Sequence, residues 1–276
     1  MVFSHKNSRS SPKEDFGFPK IDIHSHILFG IDDGSKNLET SLAILDGLKS
    51  QGFTNAILTP HYVADTIYTS SRQNNQKILR ELKKAWEEHE KASLSDSSAA
   101  TFSLGHLHLH LGNEIYIDRS ISELLKSRTI SPLADGKYLL IELPMSGEFD
   151  GYEDIFDSLR LEGYQVILAH PERYSSTHHD FSILERLHAS GILFQCNYGS
   201  FIGQYGKNSK KTAEKLAREK LIFALGTDIH HERDYSEIKK SLKRLSKFYS
   251  SSELEDLTTK NPQKILQDLK PNFSAA

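Results

Sequence analysis

The run Ile21-Asp22-Ile23-His24-Ser25-His26 decides how the rest of this chain is read. It alternates as a short strand does. Alternate side chains of a strand share a face, so His24 and His26 project together beyond the strand end. Two imidazoles presented in parallel are a metal-ligand geometry. A lone His-x-His also arises on ordinary surfaces, so the weight comes from recurrence. Thr59-Pro60-His61, Gly112-Asn113-Glu114, Ala169-His170-Pro171-Glu172-Arg173 and Gly226-Thr227-Asp228-Ile229-His230 each set a histidine or an acid at the end of another apolar run.

Working outward, seven strands are expected near Lys20 to His24, Asn55 to Thr59, His106 to Gly112, Tyr138 to Glu142, Gln165 to Ala169, Leu193 to Asn197 and Ile222 to Leu225. Between them lie helical patterns: Leu38 to Gln51, Ser71 to about Ala92, Tyr152 to Glu162, Phe181 to Ser190 and Asn208 to Glu219. Gly52, Gly163 and Gly191 sit just past three of these, where glycine ends a helix in the left-handed conformation. Lys91 to Ala100 reads as a loop, and Ser251 to Leu269 as two closing helices, the last starting at Asn261-Pro262. Strand–helix alternation implies parallel strands with right-handed crossovers. The suspect residues leave several different strands at their carboxyl ends. A closed barrel lets many strands meet at one centre, whereas an open sheet converges on one switch point. The expectation is therefore an α/β fold whose seven strands close as a barrel rather than an open sheet, in a single domain over residues 19–276, with residues 1–18 a polar, flexible tail.

The 276 residues carry a formal net charge of -3, which offers no basic stripe for nucleic acid. No long apolar run or apolar leader is present, so no membrane insertion and a cytoplasmic location are expected. Cys196 is the single cysteine, which rules out an intramolecular disulfide. A thiolate phosphatase would need a phosphate-cradling Arg soon after its cysteine, but Cys196-Asn197-Tyr198-Gly199-Ser200-Phe201-Ile202 holds none. Cys196 therefore reads as a small buried residue.

Collected, the strand-end residues are His24, His26, Asp33, His61, Glu114, His170, Asp228 and His230. These are too many donors for one ion and suit two or three divalent ions bridged by a carboxylate. Mixed nitrogen and oxygen ligation without thiolates fits Mn, Fe or Zn better than Ca or Mg. Each residue alone has a plainer reading as a helix cap or loop anchor; Asp32-Asp33 in Gly30-Ile31-Asp32-Asp33-Gly34 also reads as a turn. His106, His108 and His110 alternate with leucines on one strand face, which a strand with one polar face also shows. His178, His179, His188 and His231 read as exposed or supporting residues.

Taken together, these motifs, with Ala169-His170-Pro171-Glu172-Arg173-Tyr174 and Asn197-Tyr198-Gly199-Ser200, resemble the polymerase-and-histidinol-phosphatase superfamily. More narrowly, the chain is similar to bacterial metal-dependent protein-tyrosine phosphatases encoded with capsule and exopolysaccharide systems. The resemblance implies a distorted (β/α)7 barrel with a trinuclear centre, commonly of Mn. It implies action on a phosphotyrosine protein, the C-terminal tyrosine cluster of a partner tyrosine autokinase that controls polysaccharide export. One ion would be held by His24, His26, Glu114 and Asp228, a second by Glu114 with His170, and a third by Asp33, His61 and His230. The chain departs from the family pattern in its N-terminal tail and in His230-His231-Glu232-Arg233. Many members supply a further ligand from the sixth strand, where alternation here offers Gln195 and Asn197, leaving that position to water.

Apart from the resemblance, several divalent ions together point to hydrolysis by activated water. Arg173 and Arg233 are the candidate catalytic cations. Arg173, close after His170, is placed to grip two phosphate oxygens as Lys cannot, its plainer role being an ion pair with Glu172 or Glu142. The donor to the leaving oxygen stays open among His61, Asp33 and Arg233. Substrate also stays open between a phosphotyrosyl protein and a small phosphomonoester such as histidinol phosphate, as does a non-catalytic binding role. Oligomeric state, a homo-oligomer included, is undetermined.

Overall fold

The computed structural model describes residues 16–95, 105–147, 151–232 and 235–268. Its strands are β1 (Lys20–Asp22), β2 (Phe53–Leu58), β3 (His61–Tyr62), β4 (His108–Leu111), β5 (Glu114–Tyr116), β6 (Tyr138–Glu142), β7 (Gln165–Ala169), β8 (Leu193–Asn197) and β9 (Ala224–Gly226). The helices are α1 (Leu38–Ser50), α2 (Arg72–Ser95), α3 (Ile121–Lys126), α4 (Glu153–Leu161), α5 (Ser175–His179), α6 (Ser182–Ala189), α7 (Gly206–Arg218), α8 (Ser236–Leu245), α9 (Ser251–Glu255) and α10 (Asn261–Gln267). Every strand pairing is parallel, in the orders β1-β2-β4 and β3-β5-β6-β7-β8-β9.

The two sheets belong to one ring. Leu58 pairs with Leu111, and His61 then pairs with Glu114, so the β2–β4 register resumes unchanged in β3–β5 after a break at Thr59-Pro60 and Gly112-Asn113. Proline has no N–H to donate to a ladder, which explains the break at Pro60. Two of the seven expected strands are thus each bent into two pieces. The ring closes where Ser25 bridges Ile229 beyond β1 and β9, with His26 N donating to Ile229 O and Asp228 N to His24 O. The distorted barrel expected from the sequence is the fold. Its irregular side lies between β4 and β6, where Leu133–Asp135 packs against both strands.

Alternation divides the core. Ile21, Ile23, Ile57, Tyr138, Leu140, Ile167, Ala169 and Ala224 form one buried cluster, the barrel interior, which Leu133 and Ile265 of α10 join from outside the strands. The intervening residues, such as Ala56, Leu58, Leu139, Ile141, Val166 and Leu168, belong to the larger cluster beneath the helices. Burial on both faces is why β6 reads Tyr-Leu-Leu-Ile-Glu with every residue buried.

Local signals set the helix ends. Asn37 caps α1 by accepting from Thr40 N at 2.8 Å, and Gly52 ends it at φ +83°. α2 runs on to Ser95, past the expected stop near Ala92, because nothing in Lys91-Ala92-Ser93 breaks a helix. The closing helices are contiguous rather than separate: a π turn over Asp256–Lys260 joins α9 to α10 just ahead of Pro262, which lacks an N–H to donate. Of the stretch expected to be a tail, residues 1–15 lie outside the described residues; Phe16 and Phe18 pack against the core, and Lys20 Nζ donates to Gln51 O at 2.9 Å.

Asp22 holds the closure. It is fully buried, and its carboxylate accepts from Thr227 Oγ1 at 2.6 Å and Thr227 N at 2.9 Å, tying β1 to the end of β9. Burial pushes its carboxyl up to about 6, although the Thr227 bonds pull the other way. A raised folded-state value means that this group favours folding most at low pH and that the benefit fades as pH rises through about 6. Relative to Asp22→Asn, the metal-free protein should therefore gain stability between pH 7.5 and pH 4.5, by up to ~2 kcal/mol. Urea denaturation at the two pH values measures it; a parallel pH dependence in the two proteins would reject this role.

Candidate metal centre

His24 and His26 leave β1 side by side, fully buried, with their Nε2 atoms 3.2 Å apart. Facing them is Glu114, the first residue of β5. Its Oε2 lies 3.2 Å from His24 Nε2, 3.3 Å from His26 Nε2 and 3.0 Å from His61 Nδ1, while Oε1 lies 2.9 Å from His170 Nε2. The bend between β2 and β3 is what brings His61 into register beside Glu114. Asp228 Oδ1 completes the inner ring at 3.6 Å from His24 Nε2 and 3.5 Å from His26 Nε2. At the outer edge, Asp33 Oδ1 is 3.5 Å from both His61 Nε2 and His230 Nε2.

All eight sequence candidates converge, in four overlapping groups whose donor atoms lie within 4.8 Å of one another: His24, His26 and Asp228; His24, Glu114 and His170; His61, Glu114 and Glu142; and His26, Asp33, His61 and His230. The grouping adds Glu142, which ends β6 as an acid after an apolar run. That signal matches the one carried by the other candidates, although in sequence Glu142 stood only as a partner for Arg173. Burial and the neighbouring Glu114 charge push its carboxyl up to about 6.

The donor set fits a cation. Glu114 Oε2 is buried among three imidazole nitrogens yet makes no hydrogen bond. A buried carboxylate oxygen without a donor is costly unless a positive charge stands beside it. The imidazoles register the same field: burial opposes protonation, yet Glu114 and Asp228 lift His24 to about 9, Asp32 lifts His26 well above its ordinary value, and Glu114 raises His61.

Supporting residues aim the ligands. His26 Nδ1 donates to Asp32 Oδ2 at 2.7 Å, which leaves Nε2 facing the centre. The adjacent acids thus separate: Asp32 orients the His26 ring, and Asp33 reaches the centre. Against the burial that would raise it, the His26 imidazole holds Asp32 well below the usual carboxylate range. His230 Nδ1 donates to Asp228 O at 3.0 Å, again freeing Nε2. His170 and Asp228 take left-handed φ of 31° and 50°, strained for residues with a Cβ, where β7 and β9 deliver them. On β8, Gln195 Oε1 accepts from His24 Nδ1 at 2.8 Å and Asn197 Nδ2 donates to Asp228 Oδ2 at 2.7 Å.

Arg173 pairs with neither Glu172 nor Glu142. Its Nη1 donates to Asp228 Oδ2 at 2.7 Å, and its guanidinium stacks 4.5 Å from the Tyr205 ring centroid. Glu172 instead turns into the core, accepting from Asn197 N and Ser200 Oγ. Arg233 lies outside the described residues. His106 pairs with Glu90 and His110 with Asn55, so that this histidine strand gathers against Lys83 and Trp86 of α2 and joins none of the four groups. Cys196 is buried, and burial with nearby Glu172 pushes its thiol well up, as an inert residue requires. Among the described residues no helix is long and apolar enough to cross a membrane.

The model of the family described as capsular polysaccharide synthesis, CpsB/CapC, matches residues 20–267. The tyrosine-protein phosphatase YwqE of Bacillus subtilis is 30% identical over 90% of this chain and 92% of its own. CapC of Staphylococcus aureus is 31% identical over 76% of each chain. A crystal structure from work on YwqE and Streptococcus pneumoniae CpsB, described as metal-dependent tyrosine phosphatases, superposes with a TM-score of 0.79 at 29% identity, covering 91% of this chain and 95% of the other.

An imidazole must shed its proton to ligate, so the raised histidine values have a consequence. The apparent affinity of metal-stripped protein for Mn2+ should rise about tenfold per pH unit for each proton displaced, up to about pH 9, where His24 itself titrates, and level off above it. Calorimetry in buffers of different ionisation enthalpy counts the protons; an affinity flat from pH 6.5 to 9 would contradict the assignment.

Proposed function

This chain belongs to the CpsB/CapC family of capsular polysaccharide synthesis, and from that premise we propose that it is a metal-dependent protein-tyrosine phosphatase. The observation that carries the reading is the buried, donor-less Glu114 Oε2 inside a ring of imidazoles. The proposed ligands are His24, His26, Asp33, His61, Glu114, His170, Asp228 and His230, with Glu142 added by its place beside His61 and Glu114. Two or three divalent ions, Mn before Fe or Zn, would supply Lewis acidity that neutralises phosphoryl oxygens and brings the pKa of water toward neutral.

The chain's own groups do the rest. Glu114 spans the groups with both oxygens, so it holds them at fixed separation. Asp33, with a side chain 54% exposed, marks the edge where the centre meets solvent. An opening at the surface suits a phosphotyrosine carried on a protein better than a small molecule that must be enclosed. Arg173 is one-quarter exposed, and the Asp228 carboxylate keeps it charged against the cost of its burial. Anchored by one Nη1 bond, it presents a planar cation beside the ligands, where phosphoryl oxygens gain charge in the transition state. The proposed substrate is the C-terminal tyrosine cluster of a tyrosine autokinase governing polysaccharide export, met in the cytoplasm.

Arg173→Ala should lower kcat on a phosphotyrosine peptide by about 100-fold, the loss typical of one transition-state donor, with metal content unchanged. Arg173→Lys should recover little, because an ammonium lacks the planar fork. Turnover with reconstituted enzyme, beside histidinol phosphate as a competing substrate and His24→Ala as the metal-ligand control, tests the whole reading. Preference for histidinol phosphate would replace the tyrosine assignment, and silence on both would remove the enzymatic one.

A further inference from the structure

We infer that Gln195 and Asn197 form a one-directional amide relay that chooses the donor atom of two ligands from opposite sides of the barrel closure. They are positioning residues, and the inference rests on the metal-dependent reading above. Both lie two apart on β8, fully buried, on the face that meets the centre. His24 Nδ1 meets Gln195 Oε1 at 2.8 Å, Gln195 Nε2 meets Asn197 Oδ1 at 2.8 Å, and Asn197 Nδ2 meets Asp228 Oδ2 at 2.7 Å.

The chemistry permits one orientation. An ionised Asp228 only accepts, so Asn197 must turn its NH2 toward it. Asn197 Oδ1 then faces back and needs a donor, which only the NH2 of Gln195 provides. That leaves Gln195 Oε1 toward His24, so Nδ1 must carry the hydrogen, and neutral His24 presents its Nε2 lone pair among Glu114, His26 and Asp228. At the far end, Asn197 and Arg173 both occupy Asp228 Oδ2, which leaves Oδ1 as the atom facing His24 and His26. His24 follows β1 and Asp228 follows β9, the two strands that close the ring.

The space for the relay is built in at Gly226. A Cβ there would lie 2.7 Å from Gln195 Nε2 and 2.8 Å from the His24 Cβ, closer than side chains tolerate. Two buried amides inside a barrel cost stability unless every polar atom is satisfied, and here the four amide atoms are used in sequence. The sixth strand, from which the sequence reading expected no ligand, thus supports two ligands contributed by other strands.

The test uses the full-length, metal-stripped chain and Mn2+ alone as the probe. Calorimetric affinity is compared among the wild type, Gln195→Met, Asn197→Leu and the double variant, with melting of the metal-free forms as a check of folding; Asn197→Ser replaces the leucine variant if that one does not fold. Each single change should weaken Mn2+ binding by about 10- to 100-fold, as loss of an orienting partner does. The double variant should lose no more than the weaker-binding single, because a relay broken once is already broken. Nitrogen NMR of the His24 ring in the metal-free chain, recorded near pH 10 where the ring is neutral, should show Nδ1–H in the wild type and a mixed tautomer in Gln195→Met. Affinities within twofold of wild type, losses that multiply, or an Nε2–H tautomer in the wild type would each overturn the relay. A wild-type chain that binds no Mn2+ but keeps the Nδ1–H tautomer would instead overturn the metal reading and leave the orientation standing.

Discussion

The Glu114 carboxylate, buried with three imidazoles around one oxygen and a fourth against the other, is the charge on which the arrangement depends. A carboxylate removed from water and given no hydrogen-bond donor for one oxygen destabilises a fold by several kcal/mol unless cations surround it. Asp228 and Asp33 add negative charge to the same face, and the raised values of His24 and His26 are the protein's response when protons are the available cations. Divalent ions would take the place of those protons, which is why the cage, the raised basicity of its histidines and the proposed chemistry are one electrostatic fact.

Holding so many polar groups at one end of a barrel demands rigidity from the rest. The apolar interior from Ile21 to Ala224 and the larger cluster beneath the helices supply burial, while Asp22 and Thr227 close the ring where hydrogen-bonded strand pairing is reduced to a single bridge. The closure and the centre share their residues: His24 O accepts from Asp228 N, so the backbone that completes the barrel also sets the distance between two ligands. The left-handed conformations of His170 and Asp228 are local strain that the packed strands impose in order to aim those side chains.

Each histidine whose second nitrogen has a fixed partner turns a defined nitrogen toward the centre. Asp32 does this for His26, the Asp228 carbonyl for His230 and Gln195 for His24. Such partners have no distinctive spacing in sequence. Asp33 was legible as a candidate donor, but Asp32 beside it read only as part of a turn, because nothing in sequence marks its bond to His26 Nδ1. Arg173 was visible as a cation near His170, but its partner Asp228 is distant in sequence and only the β7–β8–β9 stacking brings the two together.

The sequence by itself determined that parallel strands alternate with helices, that their carboxyl ends carry a histidine-and-carboxylate set too rich for one ion, and hence the barrel and the metal-dependent hydrolase class. Those inferences rest on periodicity and on residue type, which are local and survive without coordinates. Only the tertiary structure decided that two strands bend at Thr59-Pro60 and Gly112-Asn113, that Glu142 joins the cage, and that the His106–His110 alternation belongs to the α2 side. It likewise decided that Gln195 and Asn197 reach two ligands from a neighbouring strand. The reason is physical: spacing along a strand fixes which face a side chain takes, but distances between side chains on different strands follow from register, bend and ring closure, which the whole chain sets together.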